Sequence, residues 1–521
     1  MAFFSAATSK DKQVLIGRIV TMDQGGKVFN EGALCIDKDR IAAVVANVAH
    51  IPSAFAGITP IDTQGTIYPG LIELHNHLSY NFLPLWTVPR RYTNRNQWRE
   101  QEPDYEVCIS KPAQIIGSNA DPDYARSIAR FVECRSLLGG TTTTQGLSSS
   151  GTGGRKWYSG LTRNVEAPQD QIFPAAGGQT LDYKPGEIAT KLVPDLAKDR
   201  PFFYHLSEGT DADARQRYLD LEYQPGTWAI DGDLITIHCT ALQAADFQRL
   251  KQGAGMVWSP LSNLLLYGET ADVAAARQAG LRIALGSDWS PSGSKNLLGE
   301  LKVARIVSDH TGGLFTAEDL VRMVTATPAA MLGWDGQVGS LQRGKKADLL
   351  ILEGQGGDPY AQLIDAKEDD VLAVVIDGRP RHGRLGFLDF DAARQERVVI
   401  AGKDYSLDLT EPSSDPLAGL SLATAIAKLT EALATLPDLA TRAIAPKSLA
   451  FDLIERQAVS IDFDLEDNTG TDFKSIQAMA LTAAPTLKPL PMAPITAVDD
   501  PMFIPALKAS PNLPAYVRQA L

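Results

Sequence analysis

The strongest constraint on this chain is a recurrence between residues 67 and 335. Short apolar runs end on a histidine or an aspartate, and helical patterns lie between them. Leu71-Ile72-Glu73-Leu74 leads into His75-Asn76-His77, and Phe202-Phe203-Tyr204 into His205. Leu234-Ile235-Thr236-Ile237 leads into His238, and Ile283-Ala284-Leu285 passes through Gly286-Ser287 to Asp288. Helical periodicity falls at 242–251, 271–279 and 296–307. Strands that alternate with helices predict a parallel sheet, closed or doubly wound. In a closed β/α barrel the carboxyl ends of all strands face one mouth, where active sites are built. His75, His77, His205, His238 and Asp288 are then expected to converge. Any one of these histidines alone reads as a hydrogen-bonded core residue. Four of the seven in the chain, all at strand ends, do not.

Three neutral imidazoles and a carboxylate suit Zn²⁺ or another borderline divalent ion such as iron, with one position left for water. Such an ion lowers the pKa of its water to about 7. Hydrolysis also needs a group to take a proton and one to return it. Glu208, three residues after His205, is placed for the second role. Taken alone it reads equally well as a loop carboxylate in a surface ion pair.

The same region holds further elements. Asp121-Pro122 is a helix start, with a capping carboxylate and a first-turn proline, and Gly139-Gly140 ends that helix. Thr141 to Thr144 and Met256-Val257-Trp258 are strands. Between residues 146 and 200 only Gln171-Ile172-Phe173 has strand character, where an eight-stranded barrel needs two strands.

The flanks differ. Residues 13–66 alternate β-rich runs with turns, at Val14-Leu15-Ile16, Ala33-Leu34-Cys35-Ile36 and Ile41-Ala42-Ala43-Val44-Val45, and predict a small antiparallel sheet. A matching block follows at Leu349-Leu350-Ile351-Leu352 and 371–376. One β-sandwich domain from residues 1–66 and 336–400 is expected, with a catalytic domain at 67–335 inserted and an extension at 401–521. In the extension, residues 422–436 have helical spacing and Pro437 is expected to stop the helix. The last thirty-five or so residues read as an extended tail draped over the surface.

Composition excludes some partners. A net charge of -13 disfavours nucleic acid and anionic membranes. No apolar run approaches the roughly 20 residues that span a bilayer. No secretory signal is recognised at the start, and the four cysteines show neither metal-type pairing nor a disulfide framework. A cytoplasmic protein acting on a small molecule is expected, as a homo-oligomer.

Taken in order, these motifs resemble the amidohydrolase superfamily. The matching pieces are Pro69-Gly70-Leu71-Ile72-Glu73-Leu74-His75-Asn76-His77, His205-Leu206-Ser207-Glu208, Ile237-His238, Ser259-Pro260-Leu261-Ser262-Asn263 and Leu285-Gly286-Ser287-Asp288. Thr327-Pro328-Ala329-Ala330 and the stretch from Gly339 to Leu349 extend the likeness to roughly residues 13–385. It implies a (β/α)₈ TIM-type barrel with a β-sandwich from both chain ends. Within the superfamily the pattern is similar to the mononuclear deaminase and chlorohydrolase branch, marked by His-x-x-Glu and by the Ser-Asn pair. By this resemblance His75, His77, His205 and Asp288 hold one metal ion. Asp288 accepts the water proton, Glu208 shuttles it, and His238 polarises the substituent on the attacked carbon. A two-metal site needs a bridging lysine or glutamate from the fourth strand, and neither Lys184 nor Lys191 has a fitting context.

The loop after His77 is rich in Tyr80, Trp86, Arg95 and Trp98, and it is expected to line the substrate pocket with Asn263, Trp289 and Ser292. Its bland alternative is a lid packed on its own barrel. Cys239 reads as a small buried side chain. The expected activity is hydrolysis of a non-peptide C–N bond, with deamination of a planar small molecule foremost. An amide, urea or carbamate hydrolase or a chlorohydrolase with the same site, and a catalytically inactive scaffold, are the alternatives.

Overall fold

Two parallel sheets carry the middle of the chain in the computed structural model. It describes residues 4–5, 12–117, 121–145, 149–150, 160–389, 395–413, 415–442, 460–461, 463–466 and 487–521. Leu71–Glu73 (β1), Thr141–Thr144 (β2) and Arg163–Asn164 (β3) form one sheet. Gly177–Gln179 (β4), Phe202–Leu206 (β5), Leu234–His238 (β6), Gly255–Trp258 (β7) and Ile283–Leu285 (β8) form the other. Within each sheet the strands lie in chain order, and every pair is parallel. This is a TIM-barrel-like α/β arrangement. The sheets touch at both sides. Ala176 N donates to Val165 O at 2.9 Å between β3 and β4. Past the ends of β8 and β1, Asp288 N donates to His75 O at 3.1 Å and His77 N to Asp288 O at 2.6 Å. One apolar cluster takes residues from both sheets, among them Ile72, Phe203, Ile235, Ile237, Val257 and Ala284.

The sequence expectation between 146 and 200 needs correction. Gln171-Ile172-Phe173 is a turn, in which Asp170 accepts from Ile172 N at 3.1 Å. Phe173 is apolar because it packs on Trp334, with ring centroids 4.6 Å apart. The two strands are β3 and β4, on either side. With two and three residues, and two glycines in β4, they are too short to show a period. Residues 146–148 and 151–159 lie outside the described residues.

The helix Pro122–Leu138 (α1) is capped by Asp121, which accepts from Asp123 N, and Gly139 follows its last residue. Pro260–Tyr267 (α2) follows β7, and Leu297–His310 (α3) follows β8. The strand Ile61–Pro69 runs through Gly70 straight into β1. A Cβ at Gly70 would lie 2.3 Å from Thr142 side-chain atoms, so only glycine lets β1 settle against β2 here.

Both chain ends share one nine-stranded sheet. Its order is Gln395–Ile400, Lys403–Asp408, Arg379–Arg384, Val371–Ile376, Leu349–Glu353, Ile61–Pro69, Lys12–Val20, Val28–Asp37 and Arg40–Val45. Leu349–Glu353 joins the halves by antiparallel pairing with Ile61–Pro69. The sheet is mixed rather than antiparallel, because Lys12–Val20 pairs parallel with Ile61–Pro69. After two hairpins the chain crosses through residues 46–60 and returns beside its first strand, which a parallel pair requires. The last hairpin carries the sheet on to Asp408, past residue 400.

Residues 422–436 are not one helix. Leu422–Ala434 (α4) is capped by Ser421 and packs on α1, with Leu429 and Leu433 buried. Pro437 does not stop it. It lies in the first turn of Leu436–Arg442 (α5), where a proline lacks nothing that the helix needs. The last residues are not an extended tail either. Phe503–Ala509 (α6) and Ala515–Ala520 (α7) bury Leu507, Leu513 and Val517. Lys295 Nζ, on the loop before α3, donates to Pro494 O and to Asp500, each at 2.6 Å. Helices of six or seven residues leave little periodicity to read. Among the described residues no helix is long and apolar enough to cross a membrane.

Candidate metal centre

His75 and His77 lie just beyond β1, which stops at Glu73. Asn76 between them pairs with Asp288 in a parallel bridge, so the extended alternation persists and both rings turn to one side. The Asp288 loop is tied to this strand end from below. Glu73 accepts from Ser287 N at 2.8 Å and from the Ser287 hydroxyl, and Asn76 Nδ2 donates to Ser287 Oγ at 3.2 Å. Gly286 permits the approach, since a Cβ there would stand 2.6 Å from His75 Cβ and 2.8 Å from His75 O.

The expected residues come together. The ligand atoms of His75, His77 and His205 lie within 4.8 Å of one another, as do those of His75, His238 and Asp288. Asp288 Oδ1 is 3.1 Å from His75 Nε2 and 3.5 Å from His77 Nε2, and His77 Nε2 is 3.3 Å from His205 Nε2. All five side chains are buried. His238 and Asp288 adopt left-handed backbone conformations, with φ of 67° and 64°. Such strain in non-glycine residues gathers at functional sites.

The electrostatics favour a cation. Burial pushes the His75 imidazole below its ordinary value, although Asp288 opposes this. Burial and the neighbouring rings push His205 far below it. Both rings therefore offer lone pairs at neutral pH. His77 goes the other way. Burial disfavours its charge, but Asp464 and Asp288 outweigh that and raise it. Burial would raise the Asp288 carboxyl, yet His75, His238 and His77 hold it far below the usual range. The buried Nδ1 atoms of His75 and His205 have no hydrogen-bond partner, and His75 Nε2 makes no hydrogen bond despite its nearness to Asp288. Uncharged nitrogens crowded about an ionised carboxylate are a donor set that fits a divalent ion.

Glu208 sits beside this cluster, 3.7 Å from His238 Nε2. Tyr267 OH donates to it at 2.6 Å, and Arg95 stands 3.5 Å away. Burial pushes its carboxyl up to about 7, with Asp288 adding to the rise and Arg95 opposing it. His238 has its tautomer set from behind. Trp258 Nε1 donates to Thr270 Oγ1 at 2.7 Å, and Thr270 donates to Asn263 Oδ1 at 3.4 Å. The Asn263 amide then donates to His238 Nδ1 at 3.0 Å, which leaves the ring proton on Nε2, toward Glu208.

The expected pocket residues divide. Tyr80 and Trp289 lie 6.4 and 6.1 Å from the His77 ring, and Trp98 packs on Trp289 at 5.8 Å. Ser292 accepts from Trp289 Nε1 at 2.6 Å. Trp86 stands farther out, bonded to Asp104 at 2.6 Å and stacked on Tyr92. Arg95 turns to Glu208 and to Asp182, 3.1 Å away. Cys239 is buried and points its thiol at Thr236, 3.2 Å away, and Lys184 and Lys191 are exposed. A cavity of about 260 Å³, lined by Arg95, Asp182, Glu208, Asp213, Arg217 and Asp220 among others, reaches Glu208 from the surface.

Two functional candidates were not foreseen. Tyr267 follows Asn263 by four residues on α2, so helical spacing could have placed it on the same face. Asp464 had no such signal. Its carboxylate oxygens lie 2.9 and 3.1 Å from His77 Nδ1, from a segment 387 residues away in sequence.

The chain is similar to several known proteins. Residues 210–381 match the Amidohydrolase family. A 5-methylthioadenosine/S-adenosylhomocysteine deaminase of Symbiobacterium thermophilum is 25% identical over 413 residues, 70% of this chain and 91% of the relative. An S-triazine hydrolase of Gordonia rubripertincta is 25% identical over 214 residues, 40% of this chain and 43% of its own. The structure of an adenosine deaminase from Xanthomonas campestris with bound zinc superposes with a TM-score of 0.55 at 18% identity, covering 75% of this chain and 96% of that one.

Proposed function

We propose that this chain, which carries an Amidohydrolase family domain, is a metal-dependent aminohydrolase. It replaces an amino group on a planar heterocycle by oxygen and releases ammonia. The observation that carries this reading is the convergence of His75, His77, His205, His238 and Asp288, with Glu208 alongside. Relatives named for deamination of adenine nucleosides point to a substituted purine as the first substrate class to try. The proposal includes closure of the eight strands into a (β/α)₈ barrel, supported by the bonds between β3 and β4 and between the ends of β8 and β1. It also includes the division into a composite β domain, a catalytic domain and an extension.

His75, His77, His205 and Asp288 would hold one ion, zinc by donor chemistry. When bound, the ion supplies Lewis acidity that makes water a nucleophile near neutral pH. Asp288, ionised at any working pH, is the acceptor for the proton of the attacking water. Glu208, poised near neutrality, gives a proton to the departing nitrogen. His238 donates from Nε2 to the substituent of the attacked carbon, in the tautomer that Asn263 imposes. Tyr80, Trp98 and Trp289 offer an aromatic wall for a planar ring.

The four cysteines are free thiols, consistent with the cytoplasmic setting included in this proposal. Homo-oligomerisation is also part of it, and light scattering on the purified protein tests that part. The enzyme reading is tested by metal content together with product. Stoichiometric zinc, with ammonia released from adenine nucleosides, guanine or aminotriazines, is the expected result. Amine release from anilides or phenylureas, or chloride from chlorotriazines, would move the assignment to the alternative hydrolases. Absence of metal together with an inert His238→Ala substitution would end the enzyme reading.

A further inference from the structure

The three histidines assigned above as metal ligands do not have equal support behind them. His75 and His205 have bare Nδ1 atoms, whereas His77 Nδ1 faces both oxygens of Asp464 at 2.9 and 3.1 Å. Both Asp464 oxygens converge on that one nitrogen and the Thr180 hydroxyl donates to the same carboxylate, so Asp464 is the acceptor. The shared proton therefore sits on His77 Nδ1. That leaves Nε2 as the lone pair, aimed at His205 Nε2 and Asp288 Oδ1, 3.3 and 3.5 Å away.

Asp464 is itself held in place. Thr180, just after β4, donates from its hydroxyl to Asp464 at 2.9 Å. Phe463 is buried against the Tyr80 ring, with centroids 5.0 Å apart, and fills the space beside Gly117, where a Cβ would lie 2.5 Å from it. Arg99 donates to Leu465 O at 3.2 Å, and Tyr105 OH donates to Glu466 at 2.9 Å. The residues that receive this turn are those of the loop after His77. The turn is thus anchored from both sides, and its carboxylate meets the one of the three histidines whose Nδ1 has a partner.

We propose that Asp464 is a positioning residue, supplied by the C-terminal extension, which accepts the Nδ1 proton of His77 and so presents His77 Nε2 to the metal. This rests on the metal-binding reading above. A carboxylate behind a ligating imidazole fixes ring orientation and tautomer and makes the nitrogen a better donor. The extension is then part of the active site, and an enzyme of this kind that ends at the β domain must orient its second histidine by another group.

The test is zinc affinity of the full chain, measured by competition with a chromophoric chelator, and the visible spectrum of the cobalt-loaded protein. Asp464→Ala is expected to bind zinc about 10–100-fold more weakly than the unaltered protein, the range for loss of such a partner. Asp464→Asn, whose amide oxygen still accepts a hydrogen bond, should fall between them. The cobalt bands should shift in both variants while the melting temperature of the metal-free protein stays put. Thr180→Val, which loosens Asp464 without touching His77, should give a smaller loss and serves if the Asp464 variants fail to fold. Unchanged zinc affinity and an unchanged cobalt spectrum in the Asp464 variants, or in Thr180→Val where only that variant folds, would overturn the proposal. Should the unaltered protein and His77→Ala alike bind no zinc, the metal-binding reading falls, and this proposal with it.

Discussion

Glu208 shows how a single carboxyl is tuned. In the sequence it was an acidic residue three positions after a histidine, equally suited to a surface ion pair. In the structure it is buried among Tyr267, Arg95 and His238, and burial lifts it to about 7. As the proton donor of the proposed mechanism it must be protonated, so kcat is expected to fall as pH rises through about 7. Arg95 opposes the rise by favouring the charged form. Arg95→Met should therefore carry the alkaline limb to higher pH, and a limb that moves down or stays would refute this role for Glu208. Glu208→Gln should lose about 10²–10⁴-fold in kcat, the usual worth of a positioned acid, with zinc content unchanged. The residues legible in the sequence were those that end a strand. Asp464 was not legible because its partner is 387 positions away and nothing local marks a carboxylate bound for an imidazole.

The strands that could be read were the apolar ones, whose burial shows in composition. β3 and β4 escaped because they are short, and in β3 because a polar residue elsewhere helps to fix it. Glu133 on α1 accepts from Leu161 N and, at 3.4 Å, from the Thr162 hydroxyl, pinning the approach to β3. Burial, with the Glu411 charge adding, raises its carboxyl to about 7, while the Leu161 N–H opposes the rise. The folded state then holds this proton more tightly than the unfolded chain does. The resulting stability is complete below the ordinary glutamate range, declines between about pH 4.5 and 7, and is gone above. Chemical denaturation of Glu133→Gln should lack that decline, a difference on the order of 3 kcal/mol between pH 4 and pH 8. Parallel stability–pH curves for the two proteins would refute the assignment. The end of β8 offers a second check. Gly286→Ala places a Cβ against the His75 backbone, and should cost about 1–3 kcal/mol of stability and weaken zinc binding as well, since β1 must shift to admit it.

At the scale of the molecule, a sheet shared by both chain ends could be read from two distant β-rich blocks, because a lone block has no partner for its open edge. The role of the C-terminal extension could not be read, since its last helices are too short for a period and the residues it meets elsewhere lie far away in sequence. Some of those contacts fall on the loop after His77. Arg91 Nε donates to Asn512 O at 2.8 Å and the Asn512 amide donates to Val88 O at 3.1 Å, while Tyr516 stacks on His310, the last residue of α3, at 3.7 Å. The same loop supplies Trp98, which donates to Tyr267 OH at 2.8 Å, and through it reaches Glu208. The end of the chain therefore braces the loop that braces the proton donor. Asn512→Ala leaves the buried Val88 carbonyl without its partner, at a cost of about 1–3 kcal/mol confined to this loop. Hydrogen exchange over residues 82–105 should quicken, and KM should rise more than kcat falls, because the aromatic wall loosens while the histidines stay fixed. Zinc content should not change. Exchange that quickens across β5 and β6 instead would mean that the substitution unsettles the barrel as a whole, and that the extension steadies the fold rather than the loop.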